Sequence, residues 1–190
     1  ALGMPAARLV AAVKAGDLAA AQAAVADGAS VRAQDADGGE PLHLACDKGH
    51  LNIAQWLHSA GASINATDTR GWSTLHYACM HGHLDIAQWL HSAGAYLDAT
   101  DRDGDTPLHH ACAEDHLGIA QWLHGAGASH DAANTHGYTP LHNACYKGQL
   151  AIAQWLHSAG ASLDATDDLG QTPLHLACCK GQLGIAQWLQ

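Results

Sequence analysis

A chain of 190 residues with net charge −10, from 18 acidic against 8 basic residues, lacks the positive surface that tracks a nucleic-acid backbone. Its 48% hydrophobic content is that of an ordinary globular protein. No apolar run approaches the ~18 residues of a membrane span, and no signal-peptide core precedes the first polar residues, so a cytoplasmic or nuclear location is expected.

Residues Ala1, Leu2 and Gly3 read as a vector remnant ahead of Met4. Two Ala-rich segments follow, 5–14 and 18–26, in phase with everything downstream because Leu18 stands 33 residues before Leu51. The spacing makes residues 1–34 a degenerate N-terminal capping unit. Four full units are expected at 35–67, 68–100, 101–133 and 134–166, and a shortened one at 167–190, together forming a single domain with no linker. The period of 33 carries His43 to His76, His109, His142 and His175, Cys46 to Cys79, Cys112, Cys145 and Cys178, and Trp56 to Trp89, Trp122, Trp155 and Trp188.

The unit starting at Asn134 shows why each copy folds as paired helices. Thr139 can cap a helix through its hydroxyl, Pro140 suits the first helical position, and Gly148 suits a left-handed stop. Leu141, Ala144 and Cys145 fall on one apolar face. A second helix runs over 150–157, Gly160 ends it, and a hairpin loop leads to Gly170. Helices this short are marginal alone and must be held by stacking on their neighbours. Asp115 stands where the other units carry Gly49, Gly82, Gly148 and Gly181, so a non-glycine residue is expected in a left-handed conformation. The last unit stops directly after Trp188 and Leu189, which reads as a fragment whose final apolar face, including Leu183, Ile185 and Leu189, lacks a neighbour.

The segments Thr106-Pro107-Leu108-His109, Thr139-Pro140-Leu141-His142 and Thr172-Pro173-Leu174-His175, at this period, resemble the ankyrin repeat. Glu40 in place of Thr, and Ser73-Thr74 in place of Thr-Pro, are departures from the pattern. The resemblance implies an all-α solenoid of stacked helix-turn-helix units joined by β-hairpin loops. It also implies that the motif histidines brace the turn by hydrogen bonds to neighbouring backbone, and that hairpin tips and first helices line a partner-binding groove.

Sixteen His and six Cys invite a metal or redox reading. Layers of packed helices lie about 8 to 10 Å apart, beyond the ~7 Å reach of a disulfide, so the periodic cysteines read as buried thiols in a reducing compartment, while Cys179 reads as exposed. His58, His91, His124 and His157 close the second helices, where imidazole suits the dipole. His81 with His83, and His109 with His110, are the only local pairs that could seed a metal site, and neither has the framing of a zinc motif. No catalytic residues, metal or cofactor are assigned. The Trp column reads as packing between layers, and Trp72, outside it in a hairpin, as surface.

Comparing the units with each other sorts fixed from variable positions. The second helix repeats Ile-Ala-Gln-Trp-Leu each time, whereas differences collect in the hairpin tip and first helix. Among the variable positions, Trp72, Tyr77, Met80, His81, Arg102, Asp105, His110, Tyr138, Asn143, Tyr146 and Lys147 form the candidate partner-binding set, enriched in the aromatic anchors typical of interfaces. The expected function is a non-enzymatic, monomeric protein-interaction module binding a protein or peptide, with no nucleic acid or membrane partner. Two alternatives are a designed or consensus-like scaffold without a native partner, and a His-based metal or pH-responsive protein.

Overall fold

A computed structural model describes residues 3–190; Ala1 and Leu2 of the expected vector remnant lie outside the described residues. Those residues form twelve helices, arranged in two compact units, one ending at Tyr96 and one running from Leu97 to Gln190. The first unit holds α1 (Met4–Ala15), α2 (Leu18–Ala26), α3 (Pro41–Lys48), α4 (Leu51–Ser59), α5 (Thr74–Met80) and α6 (Leu84–Ser92). The second holds α7 (Pro107–Ala113), α8 (Leu117–Gly125), α9 (Pro140–Lys147), α10 (Leu150–Ser158), α11 (Pro173–Cys179) and α12 (Leu183–Trp188). Within each unit the first helices of successive repeats pack side by side, α1 on α3 on α5 and α7 on α9 on α11, and the second helices form a parallel row.

The core follows the repeat. Leu42, Leu75, Leu108 and Leu141 of the first helices and Ile53, Leu57, Ile86, Leu90, Leu123, Ile152 and Leu156 of the second are completely buried. Each such side chain contributes about 1.5 to 3 kcal/mol by leaving water. Ala45, Ala78, Ala111 and Ala144, with the cysteines that follow them, are also sealed and let the thin layers approach closely.

Each first helix from α3 onward starts with a reciprocal cap. Thr139 N–H donates to His142 Nδ1 at 3.2 Å, and the pattern recurs at Thr106 with His109, Ser73 with His76 and Glu40 with His43. The ring's other nitrogen faces a carbonyl further along the chain: His43 Nε2 donates to Ala66 O at 3.0 Å, His109 to Tyr138 O at 2.9 Å and His142 to Gln171 O at 3.2 Å. The motif histidines thus tie each helix start to the following hairpin, as the resemblance implies. Thr74, at the position of proline, places its buried hydroxyl 2.6 Å from Ile64 O.

The hairpin tips are tight turns without named strands; a single bridge, Thr67 with Ser73, is the only ladder element among the described residues. One residue per repeat explains the geometry. The Oδ1 of Asp35, Asp68, Asp101, Asn134 or Asp167 accepts backbone N–H groups from two and four residues on, as Asp68 does from Arg70 at 2.8 Å and Trp72 at 2.9 Å. These side-chain bonds replace the ladder that strands would supply. Asn134 serves as well as Asp because only a carbonyl-type oxygen is required.

Three sequence expectations are corrected. The Trp column is half-buried, not core, with Trp72 in the same class. Its rings lie edge-on against the histidine that closes the preceding repeat's second helix, His58 on Trp89, His124 on Trp155 and His157 on Trp188, with centroids 5.9 to 6.1 Å apart. Cys178, expected to be buried with its column, is exposed like Cys179, because α11 packs against only one other first helix, α9. In the last repeat Leu183 is 67% exposed as expected, but Ile185 is buried.

Candidate partner-binding site

In the first unit the variable residues meet around one carboxylate. Arg70 Nε and its terminal nitrogen each lie 3.1 Å from Asp68 Oδ2, and the Tyr77 hydroxyl donates to the same oxygen at 2.9 Å. The guanidinium also sits 4.4 Å above the Trp72 ring, and Trp72 meets Tyr77 edge-on at 5.3 Å. Burial would raise the Asp68 carboxyl, but the hydrogen bonds from Trp72, Tyr77 and Arg70 outweigh it and hold the group below its ordinary range. Burial and the nearby Asp68 push the Tyr77 hydroxyl up to about 12. Met80, at the end of α5, is half-buried, and His81 is exposed with Nε2 2.8 Å from Asp47 Oδ1.

In the second unit, Asp105, His110, Tyr138, Asn143, Tyr146 and Lys147 line one open cavity of about 240 Å³ with Ala113 and Glu114. Asp105 and Tyr138 come from hairpin tips, His110 from α7, and the rest of the set from α9. Tyr138 is stacked on His142 at 5.6 Å, which fixes its ring; Tyr146 is the more open, with Lys180 4.3 Å above it. Lys147 pairs with Glu114 at 3.2 Å on the rim. Arg102 is exposed at a hairpin tip and does not line this cavity.

Arg70 and Glu114 are absent from the sequence-derived set although both occupy variable positions. The signal was present, but a lone arginine in a tip, or a glutamate on a helix, is indistinguishable from solvated charge until its partner is seen.

Asp101, Asp105 and His110 bring one potential ligand atom each to within 4.8 Å of one another. Asp101 is engaged by its own hairpin through Oδ1, and its Oδ2 lies 3.1 Å from His110 Nε2. That histidine occupies the register position of Tyr77, which braces Asp68 in the same way. The cluster is accounted for as hairpin bracing, and no metal is assigned to it.

Stacked pairs of short helices with a fixed internal period, joined by tips braced by an Asp or Asn side chain, define a helical repeat protein. A family model described as "Ankyrin repeats (3 copies)" matches residues 9–101, 61–134, 90–167 and 119–190. The chain belongs to the ankyrin-repeat family. Members of this family are in general protein–protein interaction modules and are typically not enzymes. No curated protein matches this chain. No helix among the described residues is long and apolar enough to cross a membrane.

Proposed function

We propose that this chain is a non-enzymatic protein-binding module whose partner, a protein or peptide, docks on the hairpin tips and first helices, with Tyr138 and Tyr146 as anchors. The same reading treats the repeats from 35 to 190 as one domain behind a capping unit at 1–34. The observation that carries it is the gathering of six of the candidate residues around one 240 Å³ cavity while the second helices stay uniform. That volume is below the ~300 Å³ at which small-molecule and cofactor sites begin, but suits a side chain projecting from a partner. The charged groups lining it already engage partners within the chain, His110 with Asp101, Asp105 with Asn134 and Lys147 with Glu114, so the reading rests on the aromatic anchors Tyr138 and Tyr146.

The test compares immobilised wild-type protein with Tyr138→Ala, Tyr146→Ala and Gln121→Ala in parallel capture from cell extract, read by mass spectrometry. Gln121 is exposed on α8, away from the tips and first helices. A true partner is retained by wild type and Gln121→Ala and lost from both tyrosine variants. Purified, it binds those variants about 1 to 3 kcal/mol more weakly at nearly unchanged melting temperature. A partner that tolerates both tyrosine changes and is lost on Gln121→Ala would move the site to the second helices and defeat the proposal.

A further inference from the structure

The repeats serve as controls for one another, and the first full repeat differs from its neighbour in a coordinated way. Where the next repeat has Arg70, Trp72 and Tyr77, it has Asp37, Gly39 and Leu44. The guanidinium, the ring beneath it and the hydroxyl that together satisfy Asp68 are all replaced, yet the hairpin carboxylate remains as Asp35. A second carboxylate has been added, because Glu40 stands at the N-cap where Thr106, Thr139 and Thr172 stand elsewhere.

Glu40 is 9% exposed, and its Oε2 is buried without a hydrogen-bond partner. A buried carboxylate oxygen left unpaired costs about 1 to 3 kcal/mol or more, and Asp167 Oδ2 is the only other side-chain atom in that state among the described residues. Glu40 and Asp35 both line a cavity of about 360 Å³ between α1 and α3, walled by Val10, Pro41 and Leu44, with Lys14 also contributing. A smaller adjoining space of about 80 Å³ is lined by the same two acids together with His43 and Tyr77. Gly39 keeps the floor clear: a Cβ there would stand 3.0 Å from Asp35 Oδ2. The space is open where the next repeat places Arg70, Trp72 and Tyr77, and both carboxylates border it.

We propose that this cavity is a binding site for a guanidinium group, an arginine side chain from a partner, held by Glu40 and Asp35. The next repeat shows the chemistry within the same molecule, where Arg70 sits 3.1 Å from Asp68 and against Trp72 and Tyr77. A planar guanidinium matches paired carboxylate acceptors better than an ammonium does, and apolar walls shield the pair from water. The overall charge of −10 favours the approach of a basic segment. The site shares no residue with the cavity around Tyr138, so the two proposals succeed or fail separately.

The probe is Nα-acetyl-arginine amide, titrated into the isotope-labelled protein while the amide signals of Val10, Gly39 and Leu44 are followed by NMR. Nα-acetyl-citrulline amide, the neutral isostere, is the control. Arginine amide should produce saturable shifts at these three positions and citrulline amide none. Glu40→Thr restores the residue the other repeats use, so it should fold normally, and it should lose roughly tenfold or more in affinity. Lys14→Ala should bind as well as wild type or better. Equal shifts from citrulline, undiminished binding by Glu40→Thr, loss of binding in Lys14→Ala, or no saturable shift at all would each overturn the assignment.

Discussion

Asp115 is the one described non-glycine residue with positive φ, at 63°, and its counterparts Gly49 and Gly148 have φ of 76° and 90°. Left-handed backbone costs a residue with a Cβ roughly 1 kcal/mol relative to glycine. The site is also crowded, since a Cβ on Gly148 would lie 2.5 Å from the Gln182 side chain that reaches back toward Tyr146 O. Gln149 makes the equivalent reach to Ala113 O beside Asp115. Asp115→Gly is expected to raise stability by about 1 kcal/mol, seen as a higher denaturant midpoint; an unchanged or lower midpoint would refute the strain argument. This position was legible from comparison of the repeats alone. The Trp column was not, because size suggested core, whereas the sealed positions belong to Leu, Ile and Ala, and Trp instead packs edge-on against a histidine one repeat earlier. The Trp column and the histidines that close the second helices are, in these three pairs, one interaction seen from both sides.

Among elements, the helices were readable from caps and apolar spacing: the second helix expected over 150–157 is observed as Leu150–Ser158. The tips were less so. Their acids look like solvated charge in sequence, but Asp68, Asp101 and Asp167 are buried acceptors that hold the turn shut, and Asn134 does the same without charge. What hid this is that an Asp used for its oxygen and an Asp used for its charge are the same letter. Helix packing also decides thiol chemistry. Cys46, Cys79, Cys112 and Cys145 are buried, and burial pushes the Cys145 thiol up to about 12. Cys178 and Cys179 lie exposed at the end of the first-helix row. Under native conditions a thiol reagent should modify those two rapidly and the other four only on unfolding, counted by intact mass. Modification of all six at one rate would mean that the layers open far more readily than their packing implies.

For the whole molecule, the motif histidines make stability depend on pH in a defined direction. His43, His109 and His142 each accept a backbone N–H at Nδ1 and donate from Nε2, so an added proton at Nδ1 would confront another donor. Burial, opposed in part by the carbonyls and carboxylates nearby, holds all three below the ordinary 6.5. The unfolded chain therefore binds these protons at a pH where the folded chain does not. Their contribution is complete above about 6.5 and declines as pH falls, until the lowered folded values are reached. Each proton adds a slope of about 1.4 kcal/mol per pH unit, so three titrating together approach about 4. Asp68 acts in a separate window: its folded value lies below 3.8, so its contribution is present above that and lost as pH falls through the lowered value. The denaturant midpoint should therefore drop as pH falls from about 6.5 through the lowered histidine values, with net proton uptake on unfolding, and fall again in strong acid. A midpoint flat across the first interval would show that the motif rings titrate alike in the folded and unfolded chain, and that their caps do not depend on the neutral imidazole.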